Sequence, residues 1–404
     1  MAVALRRSRV SEPFFCARYA LSPYRGCGHG CLYCDGRAEK YYIEGDFVHD
    51  VEERAWLPDA LGAELRTVRE KAFVSLASGV SDVYQPRERR LELTRRCAEA
   101  LARHRFPAVV ATKSNLVLRD LDVWSEIARE SGFLLLTSIA ILDEDLRSDV
   151  EPGASSIAER FEMLARFKDA GCATGVLAMP VLPGLSDDDE TLDELYRRCA
   201  EVGVDCVIPG NLTLRPGRQK ELFTMYIARS RPDLVPTYRR LYAEERASGN
   251  TEYGYRAALY RRFADLGAKH HLPPAIPHTV FAGRIGVACE LHLVLSHMVS
   301  LYRNRGIDTH RLEIAVGRYR NWLDRTRVTF NRRRALEPSW VDDEVRLTFD
   351  DHERATELLG NEKLAAFATR IVHDRAVLDY RTLELTGGRA ARYDVTSQTG
   401  SGAG

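Results

Sequence analysis

The chain has 404 residues, of which 45% are hydrophobic, 9% aromatic and 29% charged. That is too long and too apolar for disorder throughout, and it sets an expectation of two or three domains, or one large α/β unit with an appendage. Lys plus Arg and Asp plus Glu each number 58, so wholesale electrostatic binding to nucleic acid or an anionic membrane is not the default, and any such contact needs a local patch.

The opening MAVALRRSRV has arginines but no apolar run behind them, so it does not read as a secretory signal. A strand is expected near Arg18–Leu21. The loop after it, LSPYRGCGHGCLYCDGR from Leu21, crowds Cys27, Cys31 and Cys34 together. Short β-branched or leucine-rich runs follow at Ala72–Ala77, Ala108–Thr112, Phe133–Ile139, Ala173–Met179 and Val204–Ile208, each of strand length. Helical patterns at about 53–71, 88–104, 119–131, 156–170 and 188–202 separate them. Ser156 with Glu159 fits a capping box, and Asp187–Asp189 places negative charge at a helix start. Six strands alternating with helices imply parallel β/α units. Periodicity leaves open whether residues of about 15–215 form a partial or full (β/α) barrel or an open doubly wound sheet.

After Pro216 the strand signal fades. Residues 219–271 read as helical, PPAIP at 273–277 is a plausible boundary, and residues 280–385 read as mostly helical. The best apolar run, Ile285 to Tyr302, is broken by Glu290, His292 and His297, so no membrane span is expected. From Arg303 to Arg334 there are ten Arg against three Asp/Glu, with Tyr302, Tyr319, Trp322 and Phe330 interleaved. Such a stretch suits a phosphate, a nucleotide or nucleic acid, or is the solvated basic face of an amphipathic helix. The tail TSQTGSGAG reads as disordered.

Nine cysteines, an odd number without a signal, argue against a disulfide scaffold and for the cytoplasm. Cys27, Cys31 and Cys34 have the spacing C-x3-C-x2-C. Thiolates this close share one soft metal centre more readily than they pair. A closed zinc site wants four ligands, commonly from two C-x2-C pairs, and no second pair exists in the sequence. His29, inside the loop, would have to fold back to serve as a fourth. Three thiolates suit a [4Fe–4S] cluster with one iron open. Gly26, Gly28 and Gly30 would let the loop wrap a bulky group.

C-x3-C-x-Tyr-C after a first strand resembles the radical S-adenosylmethionine (radical SAM) superfamily, and SPYRGCGHGCLYC resembles its spore photoproduct lyase-like branch. SDVYQPRERRLELTRR (81–96), ATKSNLVLRDLD (111–122), LTSIAILDEDL (136–146) and MPVLPGLSD (179–187) resemble later strand ends of that branch. The likeness covers about residues 18–230. It implies an α/β fold: a partial (β/α)6 TIM-type barrel with a mostly helical C-terminal extension and the site at the strands' C-terminal mouth. The expected partition is an N-terminal segment 1–17, a radical SAM core 18–230, a helical connection 231–279, a helical accessory domain 280–390 and a disordered tail 391–404.

By the same resemblance, Cys27, Cys31 and Cys34 would ligate the cluster. Lys113 would meet the methionine carboxylate of S-adenosylmethionine, unless it is a solvated loop lysine. Ser138 would touch the cofactor or bond its own backbone. Ser81 and Asp82 would bind the cofactor's amino group or cap a helix, and Tyr33 would lie near adenine or pack under the cluster. Arg160 would reach the cofactor or be a helix-face charge. A reduced flavodoxin or ferredoxin is the implied electron donor.

Two departures matter. Asp35 stands where the branch has an aromatic residue after the third cysteine. Gly79, in Ser78-Gly79-Val80-Ser81-Asp82, stands where spore photoproduct lyases carry a hydrogen-donating Cys. Cys97, Cys172, Cys199, Cys206 and Cys289 are substitutes only in principle, because buried cysteine is common. The expected activity is reductive cleavage of S-adenosylmethionine to a 5′-deoxyadenosyl radical, which abstracts hydrogen from a small molecule such as a sugar, nucleoside or natural-product intermediate. The alternatives are a lyase-like DNA or RNA repair or modification enzyme, and a non-catalytic iron–sulfur or zinc protein.

Overall fold

Each apolar run read above forms a strand of one sheet, because strands covered on both faces need side chains that tolerate burial on both. The computed structural model describes residues 3–77, 79, 81–332 and 340–387, without the side chains of 330–332. The sheet strands are β1 (Arg6–Glu12), β2 (Ala17–Ala20), β3 (Phe73–Leu76), β4 (Ala108–Thr112), β5 (Phe133–Ser138), β6 (Ala173–Val181) and β7 (Cys206–Asn211), and they lie in chain order across the sheet. β1 runs antiparallel to β2, and every later neighbour is parallel. β2 to β7 are thus the six barrel strands of the expected α/β fold. Their succession is linear and β7 does not return to β2, so the barrel is open.

Helices α1 (Leu57–Leu65), α2 (Leu93–Arg103), α3 (Leu121–Glu130), α4 (Ile157–Asp169) and α5 (Asp189–Val202) connect successive strands. The capping box on α4 is formed from both sides: the Ser156 hydroxyl accepts from the Glu159 amide, and the Glu159 carboxylate accepts from the Ser156 amide. At α5 the N-cap is Asp188, whose carboxylate accepts from Thr191, and Gly203 ends the helix in the left-handed region. Cys97 on α2 and Cys199 on α5 are buried, as are Cys172, Cys206 and Cys289. Beyond β7 come α6 (Arg218–Ser230), α7 (Tyr253–Lys269), α8 (Val287–Asn304) and α9 (His310–Arg332), then shorter helices to Val372 and a two-residue ladder of Val377–Leu378 with Leu385–Thr386.

The C-terminal helices share a continuous buried core with β1, β2 and β3. Arg327 of α9 reaches the Glu70 carboxylate at 2.6 Å and also donates to the Arg9 carbonyl. His292 and His297 are buried in α8, where burial pushes both rings down to about 4. His297 Nε2 lies 2.8 Å from the Pro13 carbonyl and Nδ1 lies 2.7 Å from the Tyr380 hydroxyl. Among the described residues no helix is long and apolar enough to cross a membrane. The expected disordered tail, 391–404, lies outside the described residues, as do Ser78, Val80, Arg333 and Arg334.

Candidate active site

The cysteine loop leaves the C-terminal end of β2, and a two-residue ladder closes its base, pairing Tyr24–Arg25 with Glu52–Glu53. Cys27 and Cys31 are buried, Cys34 is half-buried, and all three thiols are free. Backbone hydrogen bonds lace the loop to its surroundings: Cys27 N to Phe47 O, Leu32 N to Val150 O and Gly153 N to His29 O, each at 2.9 Å. Side chains add to these. Ser81 Oγ donates to the Gly26 carbonyl at 2.7 Å, Arg37 Nε to the Cys31 carbonyl at 2.9 Å, and the buried Gln219 amide to the Tyr33 carbonyl at 2.8 Å.

Gly26 has φ of +85°, and a Cβ there would sit 3.0 Å from the Phe47 carbonyl oxygen. Gly30 also has positive φ, but Gly28 does not. At Gly28 the requirement is space, since a Cβ would meet Gln85 Oε1 at 3.2 Å and Pro86 Cδ at 3.3 Å.

The donor set fits a cluster. Burial pushes the Cys27 thiol up to about 12, and backbone N–H groups of His29 and Asp82 at its sulfur work against that rise. A cationic iron would reverse the balance and hold the thiolate. Cys34 sulfur likewise meets the N–H of Gly36. Among the described residues no three His, Cys, Asp or Glu side chains converge on a point for a single metal ion. A [4Fe–4S] cluster takes its three thiolates on three separate irons and needs no such point. His29 is buried with its Nδ1 3.4 Å from Asp82 Oδ2, so it is directed at a carboxylate.

Beside the loop stands a charged constellation. Lys113, at the C-terminal end of β4, is largely covered and reaches Glu151 at 3.6 Å, so it is not a solvated loop lysine. Arg160 of α4 is 1% exposed. It donates to the Ser138 carbonyl at 2.9 Å, to the Ser155 carbonyl at 3.0 Å and to Glu151, so it is no surface charge. Tyr33 donates its hydroxyl to Glu151, and Lys113 Nζ lies 5.8 Å from its ring centroid. Burial opposes the charge on Glu151, but Lys113, Arg160 and the Tyr33 hydroxyl overcome it and hold the carboxyl at about 2.

Asp82 ties strand ends together. It accepts from Thr112 Oγ1 at 2.7 Å, Lys113 N at 2.8 Å and Tyr84 N at 2.8 Å. Ser138 ends β5 half-buried, joined to the constellation through its carbonyl. The structure therefore brings Tyr33, Lys113, Ser138 and Arg160 around Glu151, while Ser81 and Asp82 brace the cysteine loop and the end of β4. Asp35 pairs with Arg215 at 2.6 Å and accepts from Tyr41 at 2.5 Å. Sequence reasoning missed Glu151, Gln85 and Gln219. It also left Arg160 undecided, although Ile157, Phe161 and Leu164 place that turn of α4 against the core.

Residues 21–196 match the family model described as the radical SAM superfamily. An uncharacterized protein of Mycobacterium tuberculosis is 33% identical over 270 residues, spanning 65% of this chain and 78% of that relative. A radical SAM Nalpha-GlyT isomerase of Pseudomonas phage M6 is 23% identical over 272 residues, spanning 65% of this chain and 55% of the isomerase. Among solved structures, spore photoproduct lyase complexed with dinucleoside spore photoproduct shares the fold, with TM-score 0.50 at 17% identity over 66% of this chain and 78% of the lyase.

Proposed function

Because this chain belongs to the radical SAM superfamily, we propose that Cys27, Cys31 and Cys34 hold its [4Fe–4S] cluster and that Lys113 seats the carboxylate of S-adenosylmethionine. When bound, the cluster supplies one electron to the sulfonium C–S bond of the cofactor, releasing methionine and a 5′-deoxyadenosyl radical that takes hydrogen from the substrate. The observation that carries this reading is the position of Lys113. It projects from a strand end beside the cysteine loop, and its contact to Glu151 is the longest in the constellation. Glu151 is already closely held by Arg160 and Tyr33, so the Lys113 ammonium has donors left for a second carboxylate.

Arg160 fixes the Ser138 end of β5, which presents its hydroxyl to the cofactor. Tyr33 carries the loop's packing against Phe223 on one side and lines the adenine side on the other. Ser81 and Asp82 hold the Gly26 carbonyl and the Lys113 amide in place, and Asp82 offers its carboxylate to the cofactor ammonium. Radical SAM enzymes need a low-potential reductant, here a reduced flavodoxin or ferredoxin. The proposed location is the cytoplasm, which nine cysteines without a disulfide among them would suit.

The test is anaerobic reconstitution, reduction and addition of S-adenosylmethionine, read by chromatography of 5′-deoxyadenosine. Stoichiometric zinc without visible absorbance, or a loaded cluster that yields no 5′-deoxyadenosine, overturns the reading.

The substrate we favour is a small molecule, because the chain has no net charge and Gly79 offers no thiol to a nucleobase radical. A nucleic-acid substrate is the second reading. It is favoured by arginines exposed on two adjoining elements, Arg6, Arg7 and Arg9 on β1 and Arg311, Arg318, Arg320 and Arg325 on α9, and it accords with the lyase and isomerase likenesses. Duplex binding whose affinity falls steeply with salt selects the second reading, and its absence selects the first.

A further inference from the structure

The Gln85 side chain is completely buried beside the cysteine loop. The backbone N–H of Gly28 donates to its Oε1 at 2.9 Å. A backbone N–H can only donate, so the amide must present its oxygen there, and that fixes which way its nitrogen turns. Nε2, with two hydrogens, is buried and has no partner among the described residues. Orphaned buried donors are rare because leaving one unpaired is destabilising, so an acceptor is expected at this spot.

What surrounds the amide indicates that acceptor. Gly28 follows Cys27 directly, and the approach is close: a Cβ at Gly28 would lie 3.2 Å from Gln85 Oε1. On its other side, Gln85 N lies 3.3 Å from the Asp82 carbonyl. The backbone N–H groups of Asp82 and His29 already face Cys27 sulfur. The amide is thus held between two segments that both direct backbone donors at the same thiolate.

We propose that Gln85 Nε2 donates an N–H···S hydrogen bond to the cluster, at Cys27 sulfur or an adjacent sulfide, and thereby sets its reduction potential. This rests on the cluster reading of Cys27, Cys31 and Cys34. A donor to sulfur stabilises the more negative, reduced cluster and so raises the potential. Gln85 is then a tuning residue: it moves no proton and touches no substrate.

The experiment is an EPR-monitored redox titration of reconstituted wild type, Q85E and Q85M. Q85E keeps an oxygen for the Gly28 N–H and removes the donor when ionised, while Q85M removes both without adding a charge and keeps the volume, so Q85M is the deciding variant. Iron content and visible absorbance should match wild type. At a fixed solution potential the reduced-to-oxidised ratio should fall about tenfold in Q85M, which is ~59 mV for one electron, and should move the same way in Q85E. A variant that loads iron and titrates with the wild-type midpoint overturns the proposal. If Q85E fails to load, Q85M alone decides, and if neither variant loads, a role for Gln85 confined to tuning is refuted. Should wild type itself take up no cluster, it is the cluster reading that fails.

Discussion

Replacing Glu151 by Gln removes one charge and leaves the shape and hydrogen-bonding capacity of the side chain almost unchanged. Glu151 is 3% exposed and Arg160 1%, so solvent cannot take over the lost partner. Holding this carboxyl at about 2, against ~4.3 for a free glutamate, is worth roughly 3 kcal/mol of folding free energy at neutral pH. Breaking a buried pair by removing one partner costs about 3–5 kcal/mol, which agrees. The folded-state value lies below the unfolded one, so this stability is present above about pH 4.3 and is lost as pH falls toward 2. Urea unfolding of the cluster-free protein, followed by circular dichroism, should place E151Q about 3 kcal/mol below wild type at pH 7, with the gap closing in acid. Equal midpoints at pH 7, or a gap that does not shrink with acid, would refute the assignment of that charge to the constellation.

Cys27→Ala, Cys31→Ala and Cys34→Ala should each abolish iron uptake and the brown chromophore while leaving the far-UV spectrum intact, because the loop is held by backbone bonds. A variant that still makes 5′-deoxyadenosine contradicts the ligand assignment. Lys113→Ala should weaken S-adenosylmethionine binding by roughly tenfold or more, at ~1.5–3 kcal/mol for a hydrogen bond to a charged group, with the cluster spectrum unchanged. Calorimetry that returns the wild-type Kd removes that role. Gly153→Ala would put a Cβ 2.7 Å from the Gly28 carbonyl oxygen and 2.7 Å from His29 Cα, so a loss of about 1–3 kcal/mol is expected. A thermal melt superimposable on wild type would show that the loop gives way freely there.

The barrel strands were legible because strands buried between helices must be apolar on both faces, and FVSL, AVVAT and FLLLTS announce that in composition alone. β1, RRSRVSE, gave no such signal. It is an edge strand whose first four residues are exposed, so its place depends on pairing with β2 and on the C-terminal helices behind it. The cysteine loop was legible as a motif because close spacing shows in the sequence itself. Glu151, Gln85 and Gln219 act across the fold, from positions 118, 57 and 186 residues away from their partners in the cysteine loop, and nothing local marks them. Arg160 lay between: the apolar neighbours on its helix turn point inward, but a cation there reads as a surface charge until the buried carboxylate is seen.

The ladder between Tyr24–Arg25 and Glu52–Glu53 has a consequence for maturation. By pinning both ends of the cysteine segment, it settles the entropy of bringing them together during folding itself, before any iron arrives. Metal would then meet a segment whose ends are already joined, so insertion after folding is the expected order. A chain made in iron-starved cells should accordingly accumulate as a stable recipient and accept its inorganic core afterwards, from a carrier that needs to reach no further than the rim of the sheet.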